Sequence, residues 1–246
     1  MAGVATLFLS GCVTSKKYRL AKDDTPPAIP LDWAAAGQQA ELQVKSVIVF
    51  KGPGSWKREA RWDEYVVQLK NTGDAPLMVE SAELIDLLGA PQLPGSDPWA
   101  LEKLSYTNWD KYGKTGLKLL AGAGAVVLYA GAVTAVALSS ALGGGAAVGG
   151  GAALLSVIPI VAVVDIAVVA GMNHANKKKV VEEFTRRRIE LPVEVAAGGT
   201  REGSFFFPMT PAPKELIVHA RRGGEKIELH LPLPELAKLH LKPEKK

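Results

Sequence analysis

At 246 residues the chain is long enough for one ordinary domain with an appendage or for two small ones, and its single cysteine excludes an internal disulfide and any cysteine-built metal cluster. A formal net charge of +4 is too mild to mark a nucleic-acid binder, and no helix-turn-helix, RRM or zinc-finger spacing accompanies the basic clusters. Those clusters are Lys16-Lys17, Lys177-Lys178-Lys179, Arg186-Arg187-Arg188 and the Lys242/Lys245/Lys246 tail, and two of them adjoin apolar segments, where anionic lipid headgroups are the better partner.

The chain opens with a short apolar run, Val4-Ala5-Thr6-Leu7-Phe8-Leu9, that ends in Ser10-Gly11-Cys12. Leu9-Ser10-Gly11-Cys12 resembles the lipobox of bacterial lipoproteins. The resemblance implies that residues 1–12 are a lipoprotein-type signal and lipobox, cleaved just before Cys12, whose thiol is then diacylated. Met1-Ala2-Gly3 lacks the basic residue with which secretory signals open, as a start codon assigned too far downstream would explain. With Val13 rather than Asp after the cysteine, the Gram-negative sorting rule implies the outer membrane. Residues 13–41, with Lys16, Lys17, Asp23, Asp24, Pro26, Pro27 and Pro30, read as a polar, extended tether.

From residue 42 short runs rich in β-branched residues take over. Strands are expected near 44–50, 64–70 and 77–87, with Tyr65, Val67 and Leu69 on one face of the second. Gly52-Pro53-Gly54, Asn71-Thr72-Gly73-Asp74 and Gly89 with Pro91 punctuate them. Four more are expected near 188–195, 203–207, 215–220 and 226–231. Seven short strands at this spacing predict an α+β protein whose antiparallel, immunoglobulin-like β-sandwich is split into residues 42–105 and 175–246 by a long apolar helical hairpin at 106–174. Trp56, Trp62, Phe205 and Phe207 are expected in the core or at sheet edges.

Between Lys118 and Asp165 no side chain is charged. Helices near 117–142 and 152–173, separated by the glycine-rich stretch 143–151, would each be about 30–40 Å long, enough to cross a hydrocarbon core of about 30 Å. Gly131, Ala135, Ser139 and Gly143 form a small-residue stripe at four-residue spacing, which lets a neighbouring helix approach closely. Pro159 should kink the second helix. Tyr106, Trp109 and Tyr112, interleaved with Lys111, Lys114 and Lys118, have the composition of a membrane–water boundary. Asp165 is the exception to the apolar character, and with Ala147 at the centre of an antiparallel hairpin it lies level with Tyr129, its expected hydrogen-bond partner, Thr134 being the second choice. Both flanks of the hairpin are basic, which the positive-inside rule places in the cytoplasm. The conflict with a lipoprotein resolves if the weakly hydrophobic hairpin passes the inner membrane and enters the outer one from the periplasm. It also resolves if Cys12 is unlipidated and the protein sits in the inner membrane.

A search for catalytic chemistry returns little. Neither G-x-S-x-G nor H-E-x-x-H is present, and Gly113-Lys114-Thr115 lacks the earlier phosphate-loop glycine, its position being Asn108. Asp63 and Glu64 are neighbours on a strand and point to opposite faces, so they make a poor general acid/base pair. His219, His230 and His240 lack ligand spacing. No catalytic residue, metal or cofactor is therefore assigned.

Gly52-Pro53-Gly54-Ser55-Trp56, Trp62-Asp63-Glu64-Tyr65, Asp97-Pro98-Trp99 and Gly203-Ser204-Phe205-Phe206-Phe207-Pro208 resemble phrases of uncharacterised Gram-negative lipoproteins with a Gly/Ala-rich central hairpin. That likeness implies architecture and location and brings no activity. The expected protein is a lipid-anchored envelope component. Its β-domain is structural or binds an envelope protein, and its hairpin enters the membrane or mediates homo-oligomerisation. The alternatives are a pore-forming protein assembled through the small-residue stripe and a soluble carrier whose hairpin shields an apolar ligand.

Overall fold

The computed structural model describes residues 20, 27–57, 59–123 and 165–243, with the backbone alone for 165–174. Two antiparallel sheets carry most of it, accompanied by two helices, so the fold is α+β with a sheet-rich core. One sheet runs β1 (Trp33–Gly37), β2 (Ala40–Ile48), β3 (Asp63–Asn71) and β7 (Thr200–Phe207). The other runs β5 (Pro91–Gln92), β4 (Leu77–Ile85), β8 (Glu215–Arg222) and β9 (Glu225–Pro232), with β6 (Val193–Val195) also paired to β4. Each sheet therefore takes strands from both sides of the apolar segment. Neither half of the chain closes a core without the other.

Period-2 alternation puts Tyr65, Val67 and Leu69 of β3 inward, as expected, against Leu216, Val218 and Ala220 of β8 and Ile227, Leu229 and Leu231 of β9. In β2 and β4 the alternation is broken once. A bulge between Val44 and Ser46 switches the inward set from Ala40, Leu42 and Val44 to Val47 and Val49. Another between Val79 and Ser81 switches it from Leu77 and Val79 to Ala82 and Leu84. One inserted residue reverses the face of everything after it, so each bulge re-aims the second half of its strand at the core.

Residues 33–37, inside the segment read as tether, form the edge strand β1. Its two-residue turn to β2 has Gln38 and Gln39 both at positive φ (48° and 59°), a conformation that usually requires Asn or Gly. The Arg222 guanidinium supports it by donating to the Gln38 and Gln39 carbonyls at 2.8 and 2.9 Å.

Helix α1 (Pro98–Lys114) begins where Asp97 accepts from the Trp99 amide at 2.8 Å, with Pro98 as its first residue, and Gly116 at φ +85° follows its end. Helix α2 (Asp165–Arg187) does not stop near Asn173 but continues through the basic run. Residues 188–195 thus contribute only the short β6 and a bridge at Arg188, in place of a full strand. Two things favour helix there. Glu183 pairs with Arg186 and Arg187 at 2.6 and 2.7 Å, three and four residues on, and Val180 and Phe184 at four-residue spacing bury one stripe. The Arg186 hydrogen bond, followed by that from Arg187, holds the Glu183 carboxyl at about 2 against the cost of burial.

Candidate functional site at the root of the apolar segment

Both connections to the apolar segment are fastened by three consecutive residues, Trp62, Asp63 and Glu64. Alternation along the strand sends Asp63 to one face and its two neighbours to the other.

Asp63 holds the outgoing connection. Its Oδ2 lies 2.9 Å from His240 Nε2, both groups fully buried, and the Gly122 amide donates to His240 Nδ1 at 2.9 Å. With Nδ1 occupied as an acceptor, the ring hydrogen belongs on Nε2, directed at the carboxylate. Around this link residues 118–123 run alongside 240–242. The Leu120 amide donates to the His240 carbonyl (2.9 Å), the His240 amide to Ala123 (2.6 Å) and the Lys242 amide to Lys118 (2.7 Å). Gly122, at φ +76°, passes so close to Phe50 that a Cβ would collide with the Phe50 carbonyl oxygen.

Trp62 and Glu64 hold the returning connection, α2. The Trp62 ring meets Phe184 and Phe206 edge-on at 5.4 and 5.2 Å and tilts against Trp56 at 5.6 Å, while Phe184 and Phe206 stack at 4.1 Å. Glu64 accepts from Trp56 Nε1 (2.6 Å), Ser204 Oγ (2.7 Å) and the Arg187 guanidinium (3.4 Å), and the last also lies over the Trp56 ring. Leu101 of α1 joins this cluster. Helix α1 is further pinned where the Arg61 amide donates to Glu102 (2.7 Å) and the Met209 amide to Ser105 Oγ (2.9 Å).

Lys57 sits beneath, fully buried, its Nζ 3.9 Å from the Trp62 ring centre and without a hydrogen-bond partner among the described residues. Burial lowers its pKa to about 8 from 10.5, against the opposing pull of Asp63, Glu64 and Glu102. The unfolded chain therefore takes up the Lys57 proton before the folded one does. The resulting destabilisation is complete below pH 8 and is relieved as pH rises towards 10.5. Chemical denaturation of the wild type should accordingly show stability rising between pH 8 and 9.5. Lys57→Met should flatten that rise and raise stability at pH 7 by about 3 kcal/mol. A less stable Lys57→Met would mean that balancing the buried carboxylates outweighs the burial of the ammonium.

Asp63 with His240, and Glu64 with Trp56, Ser204 and Arg187, are buried pairs that hold chain segments together. A groove of about 150 Å3 between residues 94–96 and 188–191 is smaller than the roughly 300–1,000 Å3 of ordinary ligand pockets. Among the described residues no group of three His, Cys, Asp or Glu side chains is placed to hold a metal, and no helix is long and apolar enough to cross a membrane.

The residues singled out from sequence are distributed unevenly. Cys12, Tyr129, Thr134, Pro159 and the stripe of Gly131, Ala135, Ser139 and Gly143 lie outside the described residues. Asp165 is the first described residue of α2. Tyr106 is 40% exposed beneath the Arg61 guanidinium, Trp109 is half-buried, and Lys114 and Lys118 are exposed. Tyr112 is no surface group. It is fully buried and donates to Asp86 Oδ2 at 2.6 Å, so its helix face packs on the domain instead of joining Tyr106 and Trp109 at a boundary. Lys57 and the linkage of Asp63 to His240, across most of the chain, were missed by sequence reasoning, which left His240 as one more histidine without ligand spacing.

No protein-family model, curated protein or solved structure matches the chain.

Proposed function

We propose that this is a lipid-anchored protein of the Gram-negative envelope, acylated at Cys12 and held at the outer membrane. Its immunoglobulin-like β-domain is a structural or protein-binding module, and the apolar segment between residues 123 and 165 forms a hairpin that enters the membrane or joins other copies. The observation that carries this reading is the common root. An uncharged apolar run leaves and rejoins the domain at one point, the start of β3, where Trp62, Asp63 and Glu64 secure both ends. Two attachments also make physical sense, since a single acyl chain holds weakly and a second signal makes membrane association durable.

The test is membrane fractionation with an alkaline carbonate wash, comparing wild type with Cys12→Ala expressed behind a conventional cleavable signal. The unlipidated protein is expected to stay in the carbonate-resistant pellet. Release into the supernatant would leave the acyl group as sole anchor and end the membrane reading of the segment between residues 123 and 165.

A further inference from the structure

We infer that the rim of the root, formed by Phe50, Lys51, Arg61, Tyr106, Lys118 and Leu120, is a docking surface for anionic phospholipid headgroups; this rests on the membrane reading above and specifies the lipid it prefers. The residues form one patch. The Arg61 guanidinium lies over both the Tyr106 ring (4.6 Å) and the Phe50 ring (5.8 Å), and Lys51 Nζ lies 5.3 Å from the Phe50 ring centre. Gly122 brings the strip bearing Lys118 and Leu120 against the Phe50 backbone. Leu120, 50% exposed, and Tyr106 are large apolar groups left in solvent just where the chain departs into its uncharged segment.

The charge pattern indicates the occupant. Several surface cations of the sheets are neutralised within the protein, Lys45 by Glu202, Lys70 by Glu41 and Arg221 by Glu80. At the rim, Lys51, Arg61 and Lys118 enter no ion pair among the described residues, and two of them rest on aromatic rings. Glu102, which accepts from the Arg61 backbone amide, is buried. Unneutralised cations on amphipathic rings beside an exposed leucine match a bilayer boundary, where phosphate oxygens supply the missing charge and the rings lie at headgroup depth.

The experiment is co-flotation of the full chain with vesicles of phosphatidylcholine alone or mixed with phosphatidylglycerol. The triple variant Lys51→Glu, Arg61→Glu, Lys118→Glu is compared with a control of equal charge change, Arg201→Glu, Lys214→Glu, Lys226→Glu, both checked for native circular dichroism. Wild type should partition better into the phosphatidylglycerol vesicles. The rim variant should lose on the order of 100-fold of that preference, the control little, and added salt should erase it. A wild type that floats equally with both vesicles overturns the headgroup proposal and leaves the hairpin standing, an acidic protein then being the better occupant of the rim. A rim variant that keeps the preference, or a control that loses as much of it, overturns the assignment to these residues. A wild type that floats with neither vesicle overturns the membrane reading itself.

Discussion

Trp62→Ala should unfold the base of the molecule, lowering stability by about 3–5 kcal/mol, the range for deleting a large buried aromatic. Trp62 is 1% exposed and is the contact point for Trp56, Phe184, Phe206 and the Lys57 ammonium. Its removal opens the space on which α2 and the first turn of α1 rest. Because small domains are stable by only about 5–15 kcal/mol, the loss should show as a large fall in the urea midpoint. Hydrogen exchange should locate the opening first at residues 180–187 and 98–105. The inward-facing strands β8 and β9, whose contacts lie in the other cluster, should exchange late. Uniform loss of protection through both sheets would mean that the two clusters form one cooperative unit.

Glu64→Ala should cost a similar amount for a different reason. The substitution leaves Trp56 Nε1, Ser204 Oγ and the Arg187 guanidinium without their shared acceptor, and breaking a buried pair from one side typically costs about 3–5 kcal/mol. Arg187 is bonded to Glu183 as well, so it has an alternative and the loss should fall towards the lower end of that range. Glu64→Gln keeps an acceptor oxygen and should be milder. A double-mutant cycle between Glu64→Gln and Arg187→Gln measured by denaturation would isolate the ionic part, and near-additivity would assign the effect to Trp56 and Ser204 instead. If the hairpin is the second membrane attachment, neither Trp62→Ala nor Glu64→Ala should release the protein from membranes. They should loosen the β-domain from its hairpin, so that limited proteolysis of the unlipidated Cys12→Ala protein frees the domain while the segment between residues 123 and 165 remains in the pellet.

Much of the strand arrangement was legible because it rests on local patterns. Tyr65, Val67 and Leu69 alternate as half-buried strands do, and Gly223-Gly224 marks the turn between β8 and β9 as plainly. The reading failed where a local pattern admits two answers. Residues 175–187 are charged enough to pass for a solvated flank, and their helix is recognisable only once Val180 and Phe184 have Trp62 to pack on. Tyr112 was grouped with Tyr106 and Trp109 by spacing, yet a helix carries residues six apart to different faces, and Asp86 claims the hydroxyl. The bulges in β2 and β4 leave no compositional mark, since the extra residue in each is an ordinary one.

The sequence by itself determined the apolar tract and its lack of charge, the alternating strands on either side of it, and the lone cysteine in its lipobox-like setting. These are properties of the chain read one neighbourhood at a time, and periodicity and composition express them directly. Only the tertiary structure decided that Asp63 meets His240 and Gly122, that Glu64 meets Trp56, Ser204 and Arg187, and that a lysine lies buried between them. Such contacts join residues far apart in the chain. Their geometry exists only after both sheets have closed, when desolvation makes each buried charge and hydrogen bond count for more than it could on an open chain.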